Sequence, residues 1–295
     1  MIQEQVVDTL TTAAAETTHA AATEHGGNMF AELLHHVRDS RDVELPFRHI
    51  ELPQFHPVEI LGFSIDLSPT KHVLFLWLAA IVLFIIARTA ARTNTKNPVP
   101  TGIGNLIEVF VLFVRDEIVI PNMGRDGVKY MPYVLTTFFF ILFMNLFGII
   151  PYGATATGNV SVTGGLAIIA FIMIQAAAIR KQGLKHYLMH LTGGVHWSLW
   201  PIMVPLEILG NFTKAFALCM RLFANMTGGH IVIVSILGLI FLFGSIWIAP
   251  VPALFVVGIN MLEIFVAFLQ AYVFTMLTVV FMGLGMQTEH EHAEH

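Results

Sequence analysis

The sequence predicts an all-α integral membrane protein with about five transmembrane helices plus an amphipathic interfacial helix, the last two spans forming a long, strongly tilted hairpin. Three observations lead there. Apolar residues make up 56% of the 295-residue chain and charged residues only 12%, against about 25% in soluble domains. Mean hydropathy is +0.73. The apolar residues also gather into runs of span length, separated by short polar or basic loops. A single cysteine, Cys219, excludes an intramolecular disulfide framework. The net charge of −5 lies mostly in the termini, and no basic stripe points to nucleic acid.

Residues 1–55 read as a polar N-terminal extramembrane arm, rich in Ala, Thr, Glu and His. Its acidic start (Glu4, Asp8, Glu16) argues against a cleaved secretory signal. Pro46, Pro53, Pro57 and Pro69 mark an approach segment rather than a continuous helix. The membrane domain is expected over residues 56–288. Span one, 72–88, closes on a basic stretch with Arg88, Arg92 and Lys96. The apolar stretch at 105–120 is interrupted by Glu108, Arg115, Asp116 and Glu117, which suits an interfacial helix. Span two, 131–150, leads into an uncharged loop starting at Pro151. Span three, 159–179, ends in a basic loop with Arg180, Lys181 and Lys185. Spans four and five, 201–243 and 252–286, turn at Gly244, Pro250 and Pro252, and residues 289–295 form a polar tail.

The basic loops follow spans one and three, so the positive-inside rule sets the N-terminus outside and the C-terminus in the cytoplasm. Internal halves do not repeat, which disfavours a transporter built from inverted repeats. Span four has about 43 residues, roughly 65 Å as a helix and twice the hydrocarbon thickness. It must tilt, curve or break, with Gly228–Gly229 the candidate break.

Glu207, Lys214 and Arg221 follow each other at heptad steps on one helix face, and Asn225 lies four past Arg221 on that face. His230 lies half a turn around. On span five, Glu263 and Gln270 are seven apart, with Asn260 three before Glu263. An antiparallel hairpin folding about residue 246 sets Arg221 opposite Gln270 and His230 opposite Glu263. These are two polar levels roughly 10–14 Å apart, the second nearer the outside. Asn225, Asn260 and Gln270 also suit interhelical hydrogen-bond glue, worth about 0.6 kcal/mol each. His230 with Glu263 also suits a structural pair, and Glu207 and Lys214 suit snorkelling side chains. Arg221 differs: a guanidinium stays charged, costs roughly 3 kcal/mol at mid-membrane, and finds only a neutral amide within the hairpin. A carboxylate supplied by another subunit is implied. The scattered histidines of the termini (His19, His25, His35, His36, His290, His292, His295) lack the regular spacing of a metal site, and no P-loop, zinc signature or nucleophile elbow is present. Neither metal nor cofactor is expected.

The run MRLFANMTGGHIV with FLQAYVFTML downstream resembles subunit a of F-type ATP synthases. The likeness spans about 60–288 and includes PTGIGNLIEVFVLFVRDEIV, FMNLFGIIPY and PLEILGNFTKAFAL. It is weak over residues 1–55. The resemblance implies a proton-translocating stator subunit, without enzymatic activity on its own, in the H+-transporting ATP synthase of a bacterial inner membrane. Its implied partners are the rotor c-ring, peripheral-stalk b subunits, the rest of the complex and membrane lipid. It also implies that Arg221 is the stator arginine separating two offset half-channels, with Asn225 and Gln270 as its polar neighbours. Glu207 corresponds to an acid on the cytoplasmic side. His230 and Glu263 correspond to the interacting pair of the outer half-channel, in the exchanged order of mitochondrial members. Acids that some members carry near the outer end of span two are replaced by Asn145, Thr157 and Asn159. From the residues alone, a stand-alone ion-coupled transporter is the alternative, and a membrane scaffold the third reading. Choice of ion rests with the partner's carboxylate site.

Overall fold

A computed structural model describes residues 42–45, 48–51, 58–60, 63–65, 71–96, 102–150, 156–190, 197–243 and 250–286. Residues 1–41 of the expected polar arm (1–55), the 151–155 loop, the 244–249 turn and the polar tail lie outside the described residues. Five helices among the described residues are long and apolar enough to cross a membrane, starting at Lys71, Gly104, Val160, Trp200 and Pro250.

Ahead of the helices, the end of the expected arm and the approach segment hold two small antiparallel pairs of strands that the proline pattern did not announce. β1 (Asp42–Leu45) pairs with β2 (Arg48–Glu51), and β3 (Val58–Ile60) pairs with β4 (Phe63–Ile65). Runs of three or four residues are too short for a period-two pattern to stand out.

α1 (Lys71–Lys96) carries span one and continues through its basic end. The expected interfacial segment is α2 (Ile103–Phe113), extended by a π-helical turn over Val114–Val119 and by α3 (Ile120–Met123). Pro121 opens α3, and Gly124, at φ 63°, closes it in the left-handed region that side chains avoid. A 3₁₀ segment, Gly124–Tyr130, joins it to α4 (Met131–Ile149). The segment's charges are therefore not on a separate helix. They belong to a near-continuous helical path that buries Val114, Ile118, Val119 and Met123 and leaves Asp116 and Glu117 exposed.

α5 (Val160–Gln182) is capped by Asn159, whose side chain accepts from the Ser161 amide at 2.8 Å. It leads into α6 (Leu184–His190). The final pair is α7 (Trp200–Phe243) and α8 (Pro250–Met286), 44 and 37 residues long. At 1.5 Å per residue they measure roughly 66 and 55 Å, well beyond a 30 Å hydrocarbon core, so both must run oblique to the membrane normal. α7 runs unbroken through Gly228–Gly229, so length is absorbed without the break that the glycine pair offered.

α8 packs on α4 and α5, α7 packs on α5 and α8, and α1 packs on α4. The core holds Phe138, Ile141, Met144, Leu218, Leu222, Phe274 and Met282. Phe110, Phe138, Phe139 and Phe268 form an aromatic cluster with ring centroids 5.4–6.4 Å apart. The outward faces are equally apolar: Trp77, Phe84, Ile202, Leu254 and Met261 are each at least 65% exposed. Apolar area on that scale belongs against lipid or a partner, not water.

Several contacts tie three chain segments to one end of the bundle. Lys181 forms an ion pair with Asp126. Gln182 Nε2 donates to the Gly285 carbonyl at 2.8 Å. Gly283 lies against the Asn122 backbone, where a Cβ would have no room. The segments after spans one and three therefore share an end with the close of α8, in keeping with the odd number of spans. At the opposite end, α1 and α7 both pack on the short 3₁₀ turn Ala156–Gly158.

Candidate functional site

The polar residues singled out on α7 and α8 lie along the crossing of these two helices. Arg221 is exposed and makes no hydrogen bond or ion pair to any described residue. Its two immediate flanks differ. Toward the α8 terminus lies a groove of about 430 Å³, walled by Gly210, Lys214, Ala217 and Arg221 of α7 and by Leu277 and Phe281 of α8. Toward the other end lie Asn225 and Gln270.

Asn225 Nδ2 donates to Gln270 Oε1 at 2.5 Å. Gln270 is fully buried, and its Nε2 has no hydrogen-bond partner among the described residues. The expected level of Arg221 with Gln270 is thus displaced by one helical turn: Gln270 meets Asn225, the next residue on the same face. Equal indexing from the turn assumes two straight helices and a symmetric connection, and at this level the crossing departs from that by about four residues.

The second level lies close to its expected place, but with a different contact. Glu263 is buried at 5% exposure, and neither carboxylate oxygen has a hydrogen-bond partner among the described residues. Its side chain packs on Gly229: a Cβ placed there would come 2.5 Å from Oε1 and 3.3 Å from the carboxyl carbon. Gly229 is therefore a notch for the carboxylate rather than a kink. His230, next in sequence, is half-buried but not hydrogen-bonded to Glu263. It lies within electrostatic reach of His72 and Lys71 at the start of α1, both of them buried. Asn260, one turn before Glu263, is half-buried. At this end, too, Thr157 Oγ1 donates to Asn145 Oδ1 at 2.9 Å, with both residues fully buried and Asn145 Nδ2 left without a partner.

At the other end, Glu207 is half-buried and receives a long hydrogen bond from Asn211 Nδ2 at 3.5 Å. Asn211 Oδ1 accepts from Lys214 Nζ at 3.1 Å, and that ammonium stands 5.4 Å from the Phe281 ring centre. Tyr187, from α6, donates to Gln175 Oε1 at 2.9 Å. Burial first, and the Glu207 carboxylate second, hold its phenol above the usual range.

The structure thus brings Asn225 to Gln270, Glu263 against Gly229, the neighbour of His230 in sequence, and Glu207 into line with Lys214. It leaves Arg221 alone between them. Several further residues at the site carry little signal in the sequence. Lys71 and His72 read as the plain start of a span. Asn211 could have been found: it lies four past Glu207 and three before Lys214, spacings that make helix neighbours. Tyr187 and Gln175 lie on other helices and carried no such signal. Among the described residues, no group of three or more His, Cys, Asp or Glu side chains is placed to hold a metal.

Comparison with known proteins agrees with the sequence and the fold. The family described as ATP synthase A chain matches residues 73–283. ATP synthase subunit a of Myxococcus xanthus is 52% identical over 245 residues, 81% of each chain. ATP synthase subunit a of Chloroherpeton thalassium is 49% identical over 262 residues, 88% of this chain and 77% of the relative. ATP synthase subunit a 2 of Chlorobaculum tepidum is 47% identical over 281 residues, 94% and 78%. The matched region contains the α7–α8 crossing, so an arginine without a partner among the described residues and the long oblique hairpin that carries it are features of a chain that belongs to the ATP synthase A chain family.

Proposed function

We propose that this chain is the proton-translocating stator subunit of a rotary ATP synthase, embedded as a multi-pass protein in a bacterial inner membrane. It has no catalytic activity of its own and works against a rotor c-ring, held in place by peripheral-stalk b subunits and the rest of the complex. The observation that carries this reading is the isolation of Arg221: an exposed, permanently charged side chain with no described counter-ion, on the outward face of an oblique membrane helix.

In this account the N-terminus faces outside and the C-terminus faces the cytoplasm, following the basic segments around Arg125, Lys129, Arg180 and Lys181. Protons reach the rotor from outside past His230, Asn260 and Glu263. Glu263 has two carboxylate oxygens free to take or give a proton, and Gly229 gives the carboxyl room. The rotor carboxylate, once protonated, is neutral and turns into lipid. It then loses its proton into the groove on the other side of Arg221, toward Glu207. Arg221 keeps the two paths apart. Its charge favours the ionised carboxylate as it passes and opposes a proton moving straight between the two sides. Asn225 and Gln270, hydrogen-bonded to each other, wall off the outer side of the arginine.

The test is Arg221→Ala in the complete complex reconstituted into vesicles. ATP-driven pumping is expected to be lost and passive proton permeability to rise. Intact coupled pumping would remove the role assigned to Arg221.

A further inference from the structure

Resting on the reading above, we propose that Lys214 is a second functional charge: a positioning residue on the inner path that promotes proton release from the rotor carboxylate, while Arg221 acts as the barrier. Lys214 and Arg221 are the only ionisable side chains lining the 430 Å³ groove. They lie seven residues apart on one face of α7, roughly 10 Å along the axis. A carboxylate moving along the groove is therefore within the field of both.

Snorkelling explains why the lysine stem leans toward the inner end. It does not explain how the ammonium is held. Its Nζ donates to Asn211 Oδ1 at 3.1 Å and rests against the Phe281 ring at 5.4 Å. Both partners are neutral, so the charge is fixed in place without being cancelled. No carboxylate lies within ion-pair distance of it among the described residues. The facing wall of the groove, from α8, offers Leu277 and Phe281 and nothing titratable. The other ionisable groups around it are Arg221 and Glu207 on its own helix and the Tyr187 phenol, which interacts electrostatically with Glu207.

Asn211 completes the arrangement. Its oxygen pins the lysine, and its amide nitrogen turns to Glu207 Oε1 at 3.5 Å. One neutral side chain thereby holds a cation at the groove and leaves a carboxylate next in line toward the inner surface. A positive charge close to an acid favours its ionised form. The rotor acid loses its O–H proton beside Lys214, and the proton passes toward Glu207 and inner-side water. Without that charge the acid holds its proton more tightly, and release needs a more alkaline inner side.

The experiment measures ATP synthesis by the complete reconstituted complex as inner pH is varied at fixed outer pH and membrane potential. Lys214→Gln is expected to move the inner-pH profile alkaline by about one unit, the size of one charge acting through a partly screened medium. Lys214→Arg is expected to keep the wild-type profile, which a merely space-filling role would not require. Asn211→Leu, which unpins the lysine, is expected to shift the profile in the same direction by less; it also serves if Lys214→Gln does not assemble. An unshifted profile in Lys214→Gln or Asn211→Leu overturns the proposal, as does equal impairment by Lys214→Arg and Lys214→Gln. Arg221→Ala is measured in parallel. If it still pumps, the underlying stator reading fails; if it is inactive while Lys214→Gln titrates normally, only the role of Lys214 fails.

Discussion

Asn225 and Gln270, on two different membrane helices, are joined amide to amide one helical turn beyond Arg221. Arg221 makes no hydrogen bond to either amide, and no counter-ion for it lies among the described residues.

Asn225→Leu leaves a fully buried amide without its donor. It is expected to lower the thermal stability of the detergent-solubilised complex by about 1–3 kcal/mol, the usual cost of an orphaned buried polar group. Pumping should fall but persist, because the charge on Arg221 is untouched. Complete loss of pumping with normal assembly would mean that Asn225 does more than pack against Gln270.

This pair also shows how far the sequence could be read. Heptad spacing correctly gathered Glu207, Lys214, Arg221 and Asn225 onto one face, because a helix of this length keeps its periodicity whatever surrounds it. Of the two expected levels, the one at Gln270 is displaced by a turn and the one at Glu263 by a single residue, since depth depends on tilt and on the shape of the connection, neither of which leaves a mark on spacing. Gly229 looked like a flexible point and is a notch cut for Glu263 on another helix. Lys71 and His72 gain meaning only from the fold, which brings the start of α1 within electrostatic reach of His230 on α7. The span count and the odd parity were legible because apolar length and basic loops are local properties. The hairpins over 42–65 were not, because their strands are only three or four residues long.

Gly229→Ala tests the notch. A methyl group would stand 2.5 Å from Glu263 Oε1, so the carboxylate must move. The expected result is destabilisation of about 1–3 kcal/mol, typical of an overpacked interior, with slower proton uptake from the outer side. Wild-type stability and pumping would show that Glu263 has room elsewhere.

The outer relay makes a separate prediction. His230 and Glu263 share one end of the crossing without being hydrogen-bonded to each other. If both serve as proton-exchanging groups, swapping them keeps one acid and one imidazole in the same region. The double exchange should pump better than either His230→Ala or Glu263→Ala. Two alanine variants that pump like wild type would remove the relay from the account.

Tyr187 provides a titration outside the spans. Burial and, after it, the Glu207 charge disfavour its phenolate. Removing the carboxylate with Glu207→Gln removes one of these two causes. The Tyr187 ionisation midpoint, followed by a site-specific tyrosine label, should move down toward the ordinary range while staying above it because burial remains. An unmoved midpoint would mean that Glu207 and Tyr187 are not neighbours.

The central claim is that Arg221 is a lone charge between two proton paths, and the direct measurement is proton flux through vesicles carrying the complete complex with Arg221→Ala. No ATP-driven acidification and a faster passive leak than wild type are expected. Coupled pumping at wild-type rate, with membranes no leakier than before, would contradict it.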